Sequence, residues 1–422
     1  MFAEAVTESE SAYALRVFAS SAWRSLTCGS SIAAALVFGL LAPTTATGQD
    51  RSSEPHPKTA AWTWTADANV FFGHNYQQRQ FLDASAWESQ NWILAESGRS
   101  LAGGRLSVAA MMSFEPFTLR AQGSPQLFQT GETYRDLPLV HYQHPHDLLM
   151  GLGATYRRSH SRGESFVGVD LVGAPTLGPE AFMHRESARN NPQAPLSHHV
   201  MDSTHLTPGV VRGGVTIGST TLEGSVFRGA EPDENRLDVE RPALDSLAAR
   251  ARFRRGPWEM HASVGRLHEP ERLEPYDVTR ITAAVSFDGL AGAWPLKAMA
   301  GWGANREFNG FNGNHEAYLL EWDLRVADQS TIFGRAEVVD KDLFPGGAHP
   351  KGQAHPHYFS TIVAMTAGYG HDLRRAAWGR MRIGADATVY RMPSNMEQFW
   401  RGSRSFHVFL RWRPTVAAGH AH

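Results

Sequence analysis

The feature that most constrains the fold of this chain is a long series of short segments in which apolar side chains recur at every second position. In the segment 62–74, Trp64 and Val70 lie on one face while Thr65 and Asn69 lie on the other. A period of two places alternate side chains on opposite faces of a β-strand. About sixteen such segments follow one another between residues 61 and 413, which predicts an all-β protein.

The gaps between these segments alternate between short and long. Short links fall at 101–105, 158–164, 219–221, 255–257 and 328–330, and long links at 118–145, 174–208, 230–245, 305–315 and 344–355. Tight turns on one rim and long loops on the other are the design of outer-membrane barrels. We therefore predict, in residues 61–413, an up-and-down antiparallel transmembrane β-barrel of about 14–16 strands with both chain ends on the short-turn rim.

A barrel of this size can be partly plugged by its own long loops, and the segment 174–208 is the first candidate, although the sequence leaves open whether the pore is open or plugged. The alternative fold is a soluble β-sandwich or a two-domain β-protein. That alternative would need about fourteen or more strands in one uninterrupted series. The polar faces, which are rich in Arg, Glu, Asp and Thr, suit a wet lumen better.

The first 48 residues have the layout of an export signal. Arg16 and Arg24 precede the apolar run 32–42, and small residues at 44–48 provide a cleavage site. Charged, apolar and small-residue regions in this order are typical of a secretory signal peptide. The run is shorter than the roughly 20 residues that a membrane-spanning helix needs. Residues 49–60 are predicted to be a disordered polar lead-in, and residues 414–422 a flexible tail.

Cysteine content and charge narrow the chemistry. Cys28, the only cysteine, falls in the predicted signal peptide, so the mature chain has neither disulfides nor thiolate ligands. The formal net charge is −2 at pH 7, which argues against nucleic acid as a partner. We expect outer-membrane lipid and small solutes or metal cations as partners, and the oligomeric state stays open.

Three histidine-rich stretches fall in or beside the long links. The third contains His349, His355 and His357. Imidazole and carboxylate groups are good ligands for Cu, Zn and Ni ions. The candidate ligands in the first two stretches are His144, His146, Asp147, His184, His198, His199, Asp202 and His205.

Spacing supports a shared site, although other roles stay open. His198, Asp202 and His205 follow an i, i+4, i+7 pattern, so a short helix would present all three on one side. In the predicted topology the three stretches lie on one rim, where they would form a metal-binding mouth. The alternative role is structural, with loop imidazoles hydrogen bonding to backbone and carboxylate groups.

Catalytic motifs are weak by comparison. Ser203 with His205, and His261 with Ser263, are the pairs that a barrel lipase would need, but no orienting or oxyanion group is recognisable nearby. No spacing matches H-E-x-x-H. The acidic cluster formed by Glu231, Asp233 and Glu234 could attract cations at the same rim, but we favour its interpretation as a solvated loop.

The motifs QHPHD (143–147), FMHR (182–185), DSTH (202–205) and EPDE (231–234) together resemble a family of uncharacterised bacterial envelope proteins. The nearby GET tripeptide (131–133) adds to this likeness. The resemblance implies an exported β-rich protein, commonly encoded beside metal- and copper-efflux genes. It assigns no activity, ligand or catalytic residue to any position.

These observations predict an outer-membrane barrel that is a porin-like or accessory protein. It would pass or capture small solutes, metal cations among them, at a histidine-rich outer rim. The alternative function is an exported metal-dependent hydrolase or a lipase-like barrel enzyme.

Overall fold

A computed structural model describes residues 62–79, 83–307, 313–343, 359–373 and 379–414, apart from the side chains of residues 398 and 399. The predicted signal peptide and lead-in, the third histidine stretch and the tail after residue 414 lie outside the described residues. The described part of the chain forms one β-barrel.

Sixteen antiparallel strands form the barrel wall. They are β1 (Thr63–Gln78), β2 (Ala84–Glu88 and Asn91–Leu101), β3 (Gly104–Met112), β4 (Leu149–His160), β5 (Gly163–Gly173), β6 (Thr207–Ile217), β7 (Thr220–Phe227), β8 (Ser246–Arg255), β9 (Trp258–Leu267), β10 (Val278–Ala291), β11 (Trp294–Glu307), β12 (Asn314–Ala327), β13 (Ser330–Asp342), β14 (Phe359–Asp372), β15 (Arg380–Arg391) and β16 (Arg404–Arg413). The predicted all-β barrel of about 14–16 strands is confirmed.

The wall closes by pairing its first and last strands. Val70 of β1 lies opposite Trp412 of β16, and Gln78 lies opposite Arg404. The two segments of β2 both pair with β1, so they act as one wall strand that is interrupted at residues 89–90. Closure leaves no free sheet edge, as a lipid environment requires.

Short and long connections are segregated to opposite rims. Two-residue turns at 102–103, 161–162, 218–219, 256–257, 292–293 and 328–329 lie on one rim, where β1 also begins and β16 ends. Gly218 has φ 58°, a conformation that suits glycine in a tight hairpin turn. Long links at 113–148, 174–206, 228–245, 268–277 and 392–403 lie on the opposite rim. The predicted alternation, including the position of both barrel ends, is confirmed.

The outer surface of the wall is apolar and the inner surface is polar. Leu320 and Ile332 are exposed on the outside, whereas their sequence neighbours Glu321 and Thr331 are buried inside. Exposed aromatic side chains border the belt at both ends; they are Trp64, Trp258 and Trp294 toward the short-turn rim and Trp87, Tyr318 and Phe406 toward the long-loop rim. An apolar belt between aromatic girdles is the pattern of a lipid-embedded barrel. In the described part of the chain, no helix has the length and apolarity needed to cross a bilayer.

The lumen is occupied by the link 174–206, which we call the plug. All but six of its residues are buried. The plug hydrogen bonds with side chains from ten wall strands: Asn69, Ser225, Arg250, Ser263, Arg280, Asn305, Glu321, Arg335, Arg382 and Arg411. Arg382 and Arg411 lie close to the short-turn ends of their strands, so the plug descends through most of the barrel. The sequence-based expectation for this segment agrees with its position.

Apolar contacts add to these polar ones. Val200 and Met201 of the plug belong to the same buried cluster as Met299 and Leu319 of the wall. Phe182 packs in a second cluster near Trp92. Burial of apolar surface stabilises by roughly 25 cal/mol per Å², so these side chains help to hold the plug in place.

Candidate functional site

A buried ion-pair network fixes the middle of the plug to the wall. Arg185 Nε and Nη2 donate to the two carboxylate oxygens of Glu321 at 2.7 and 3.2 Å, and Nη1 donates to Asp202. Ser187 Oγ also donates to Glu321, at 2.7 Å. Burial by itself would raise the pKa of Asp202, but the charge of Arg185 and the hydrogen bond from His198 outweigh it and hold that pKa below its ordinary value. Asp202 is therefore an anion that positions its neighbours.

Three imidazoles meet beside this network, and we call His146, His198 and His205 the inner trio. His198 Nδ1 donates to Asp202 Oδ1 at 2.7 Å, and His205 Nδ1 donates to the Asp202 carbonyl oxygen at 2.9 Å. His146 Nδ1 donates to Glu115 Oε2 at 2.8 Å. Because each acceptor is an oxygen, each ring carries its proton on Nδ1 and keeps the Nε2 lone pair for another partner.

His205 is the middle ring of the inner trio. Its centroid lies 5.4 Å from that of His146 and 5.2 Å from that of His198. His205 Nε2 is buried and has no hydrogen-bond partner among the described residues. A proton acceptor without a donor, held between two other rings, is suited to a cation.

The protonation states of His198 and His205 also favour ligation. Burial lowers the pKa of His198 to about 4, although Asp202 opposes the shift. Burial and the neighbouring His198 and His146 lower the pKa of His205 well below its ordinary value. Both rings are thus neutral near pH 7, which is the form that binds metals.

Glu132 links the trio region to a second group nearer the long-loop rim. Its Oε1 atom lies 2.9 Å from His144 Nε2 and 2.9 Å from His199 Nε2. His144 Nδ1 donates to the Pro145 carbonyl oxygen at 2.7 Å, so its contact with Glu132 requires a proton between nitrogen and carboxylate. The centroids of His199 and His198 are 5.3 Å apart. Glu132 therefore connects His144, close to the inner trio, with His199 of the second group.

Three side chains near the rim form what we call the outer group: His199, Glu231 and Glu271. Their ligand atoms all lie within 4.8 Å of one another. His199 Nδ1 faces Glu231 Oε1 at 3.9 Å, and both atoms are buried without an aligned hydrogen-bond donor or acceptor among the described residues. Burial and the charges of Glu231 and Glu274 raise the pKa of Glu271 well above its ordinary value. His199 and Glu271 line a cavity of about 100 Å³.

Two predicted ligands lie apart from these groups. Asp147 accepts a hydrogen bond from Arg236 Nη1 at 3.2 Å, and burial raises its pKa to about 6. His184 packs on Trp92 with ring centroids 4.5 Å apart. Neither side chain reaches the outer group or the inner trio through a described contact. The metal role of all eight predicted residues stays a prediction.

The site differs from an exposed rim, because the loops fold inward and bury the histidines inside the barrel. The acidic cluster also differs from a purely solvated loop. Glu234 accepts hydrogen bonds from Thr133 Oγ1 at 2.9 Å and from the Asp136 amide at 3.0 Å, and thereby holds the turn of the neighbouring hairpin. Glu231 is partly buried beside His199. Loop residues that looked solvated in the sequence are ordered by contacts with another loop.

Sequence reasoning missed three carboxylates: Glu115, Glu132 and Glu271. Each lies in a long link, but no spacing relates it to a histidine that it contacts or faces. Glu115 is 31 residues from His146. The one signal in the sequence is the GET tripeptide 131–133, which contains Glu132 but whose family likeness assigns it no role.

The two serines considered for catalysis have other partners. Ser203 Oγ accepts a hydrogen bond from Arg280 Nη1 at 2.8 Å. Ser263 Oγ accepts one from the Gly178 amide at 2.8 Å and lies 2.7 Å from Thr282 Oγ1. Neither hydroxyl contacts a histidine in the described hydrogen bonds. These contacts fix the plug to the wall.

No family model and no curated protein matches the sequence. Solved structures do match. Salmonella typhi OmpF in complex with daunomycin has a TM-score of 0.51 and 9% identity, covering 86% of this chain and 100% of OmpF. The fold is that of an outer-membrane porin. The outer membrane channel DcaP of Acinetobacter baumannii has a TM-score of 0.49 and 12% identity, covering 86% of this chain and 100% of that one. An anion-selective porin from Comamonas acidovorans has a TM-score of 0.48 and 12% identity, covering 84% and 99%.

The porin fold and the apolar outer belt both indicate the same cellular location, the outer membrane. Only lipid-embedded barrels combine a closed wall of even strand number with an outward apolar face and aromatic girdles. This barrel is an outer-membrane protein, as the sequence predicted. At 9% identity, the likeness to OmpF shows the fold and not what the barrel binds or passes.

Proposed function

We propose that this outer-membrane barrel captures divalent metal cations on its long-loop side and holds them at the inner trio. The observation that supports this proposal best is the buried, unpartnered Nε2 of His205, whose ring lies beside those of His146 and His198. The Nδ1 atoms of all three rings donate to oxygens. Hydrogen bonds from ligand imidazoles to carboxylates or carbonyls orient the rings and make them more basic toward metals. Three imidazoles suit Zn, Cu or Ni ions, and Cu(II) is favoured by intrinsic affinity.

Passage would be controlled rather than free, because the plug occupies the lumen. Arg185 anchors it in the wall through Glu321, and buried apolar side chains surround it. An open diffusion pore would need a continuous aqueous path, whereas here all but six residues of the plug are buried inside the barrel. We infer an accessory role in cation capture, with passage dependent on movement of the plug.

Metal titration of the purified barrel in nonionic detergent tests this function. Wild-type protein should bind Zn²⁺, Ni²⁺ or Cu²⁺ in calorimetry, with binding reversed by EDTA. His205→Ala removes the central imidazole and should weaken affinity by about 10- to 100-fold or more. His160→Ala is the matched control, because His160 is exposed on the short-turn rim and contacts Ser165.

Heat-modifiable migration on a gel should confirm that every variant is a folded barrel. The proposal fails if wild-type protein binds none of the three ions above background. It also fails if His205→Ala, correctly folded, binds them as tightly as the His160→Ala control.

A further inference from the structure

A second polar cavity lies at the opposite end of the lumen, just inside the short-turn rim. Its volume is about 370 Å³, in the range of sites for small solutes. Seven basic and two acidic side chains line it. The arginines among them are Arg189, Arg325, Arg380, Arg382, Arg411 and Arg413.

Two of these arginines are buried and point at the same neutral atom. Arg382 Nη1 donates to Asn190 Oδ1 at 2.6 Å, and Arg411 Nη1 donates to that same oxygen. Both guanidinium side chains are only 5% exposed. Two like charges side by side in a low-dielectric interior repel each other strongly.

Carboxylates compensate most of the cluster but not all of it. Asp372 pairs with Arg382 at 2.6 Å, and Asp67 pairs with Arg413 at 2.7 Å. Arg411 has only neutral acceptors among the described residues, the second being the Arg189 carbonyl at 3.2 Å. Its Nε is buried without any hydrogen-bond partner in the described part of the chain.

We propose that this cavity binds a small oxyanion of the phosphate or carboxylate class, entering from the short-turn side. The planar guanidinium presents paired N–H donors that match the oxygens of such anions. The Nε of Arg411 provides a donor that no described carboxylate takes up.

The charge state of the plug side of the cavity agrees with this assignment. Burial, together with the neighbouring Arg413 and Arg382, lowers the pKa of Arg189 to about 10. The positive charges of the cluster therefore repel one another, and a bound anion would reduce this repulsion. The proposal is independent of cation capture, because it uses other residues at the other end of the barrel.

Calorimetric titration with inorganic phosphate, in low salt and nonionic detergent, tests the site. Wild-type barrel should bind phosphate, and Arg411→Gln should weaken the affinity by about 10-fold or more, since a hydrogen bond to a charged group is lost. Arg157→Gln is the matched control, because Arg157 is exposed and pairs with Glu164 away from the cavity. Arg325→Gln is a second test variant, at a cavity arginine that is 41% exposed and so less important for folding.

A competition experiment, in which lipid vesicles are added to the phosphate-bound barrel, identifies the source of the anion. If phosphatidylglycerol vesicles displace phosphate from wild-type barrel and phosphatidylcholine vesicles do not, the oxyanion is an anionic lipid headgroup. If neither displaces it, the ligand is a free solute. The proposal is overturned if wild-type barrel binds no phosphate, or if folded Arg411→Gln and Arg325→Gln bind it as tightly as Arg157→Gln.

Discussion

At the scale of single residues, buried charges decide how firmly the plug is held in the lumen. Arg185 is the central cation, and both of its anionic partners, Asp202 and Glu321, are buried. Removing one partner of a buried ion pair leaves an uncompensated charge, which is far more costly than loss of an exposed pair. The plug is therefore sensitive to substitutions that preserve size but remove this charge.

Arg185→Met should destabilise the seated plug by about 3–5 kcal/mol, because it leaves two buried carboxylates without their positively charged partner. Hydrogen exchange of the amides in residues 174–206 measures the change directly. Arg157→Met is the control, where the exposed pair with Glu164 contributes less than about 1 kcal/mol. Unchanged protection in Arg185→Met would show that the network does not hold the plug.

His184 gives the plug an acid sensitivity. Burial lowers its pKa to about 4, whereas the unfolded value is about 6.5. The released segment therefore binds a proton at His184 that the seated plug excludes. The contribution of His184 to the stability of the seated plug is full above pH 6.5 and decreases as the pH drops toward 4. His184→Phe should make plug protection less dependent on pH across this window.

Limited proteolysis of the plug at pH 7 and at pH 4.5, with a protease active at both, checks that prediction. His160→Phe, at an exposed position, is the control and should leave the pH dependence as in wild type. An equal loss of protection in wild type and His184→Phe would assign the acid sensitivity to other groups.

At the scale of elements, the plug is a separate unit built into a barrel that can close without it. Wall strands β1 and β16 pair directly, and every strand has two neighbours in the sheet. The plug is covalently attached to the wall at its two ends only. Its other contacts with the wall are made mainly to the inward-facing side chains of the strands. Barrel closure and lumen occupation are thus decided by different sets of contacts.

Replacing residues 180–193 with a short Gly/Ser linker should open the lumen while the barrel still forms. Ion conductance of the variant in planar bilayers should exceed that of wild type, because the segment that crosses the lower lumen is gone. Inserting the same linker into the short turn at 161–162 is the control. If both proteins conduct as wild type does, the plug does not limit passage.

At the scale of the whole molecule, the alternation of apolar and polar faces sets stability in lipid. Leu320 is midway along β12 and 47% exposed on the outer face, whereas Leu290 is exposed near the short-turn end of β10. An arginine at mid-membrane costs about 2–4 kcal/mol, but one near the interface costs about 0–1 kcal/mol. Urea unfolding from lipid vesicles should give Leu320→Arg a clearly lower free energy of unfolding than Leu290→Arg. Equal free energies of unfolding would contradict a bilayer centred on this belt.

The two ends of the molecule also differ in chemistry. Imidazoles and carboxylates gather toward the long-loop rim, and arginines gather toward the short-turn rim. A field of opposite sign at the two mouths attracts ions of opposite charge from the two sides. The proposed cation site and the proposed oxyanion site thus use different residues, the first on the long-loop side and the second at the short-turn rim.

The barrel wall could be predicted from the sequence alone. Strand period and the alternation of gap lengths are local properties, and outward residues such as Leu320 must be apolar wherever the wall meets lipid. The spacing of His198, Asp202 and His205 was informative for the same reason, since one helical turn and the next few residues bring them together.

The surroundings of the histidines depend on long-range contacts that no local sequence pattern predicts. Glu115 reaches His146 across 31 residues, and Glu321 reaches Arg185 across 136, so no local pattern predicts either contact. The turn of Asp147 toward Arg236 depends likewise on a neighbouring link. Inward folding of the long loops buries apolar side chains, which is favourable, but it also buries charges that must be paired. The partners for these charges come from strands all around the wall, so a local stretch of sequence does not predict the outcome.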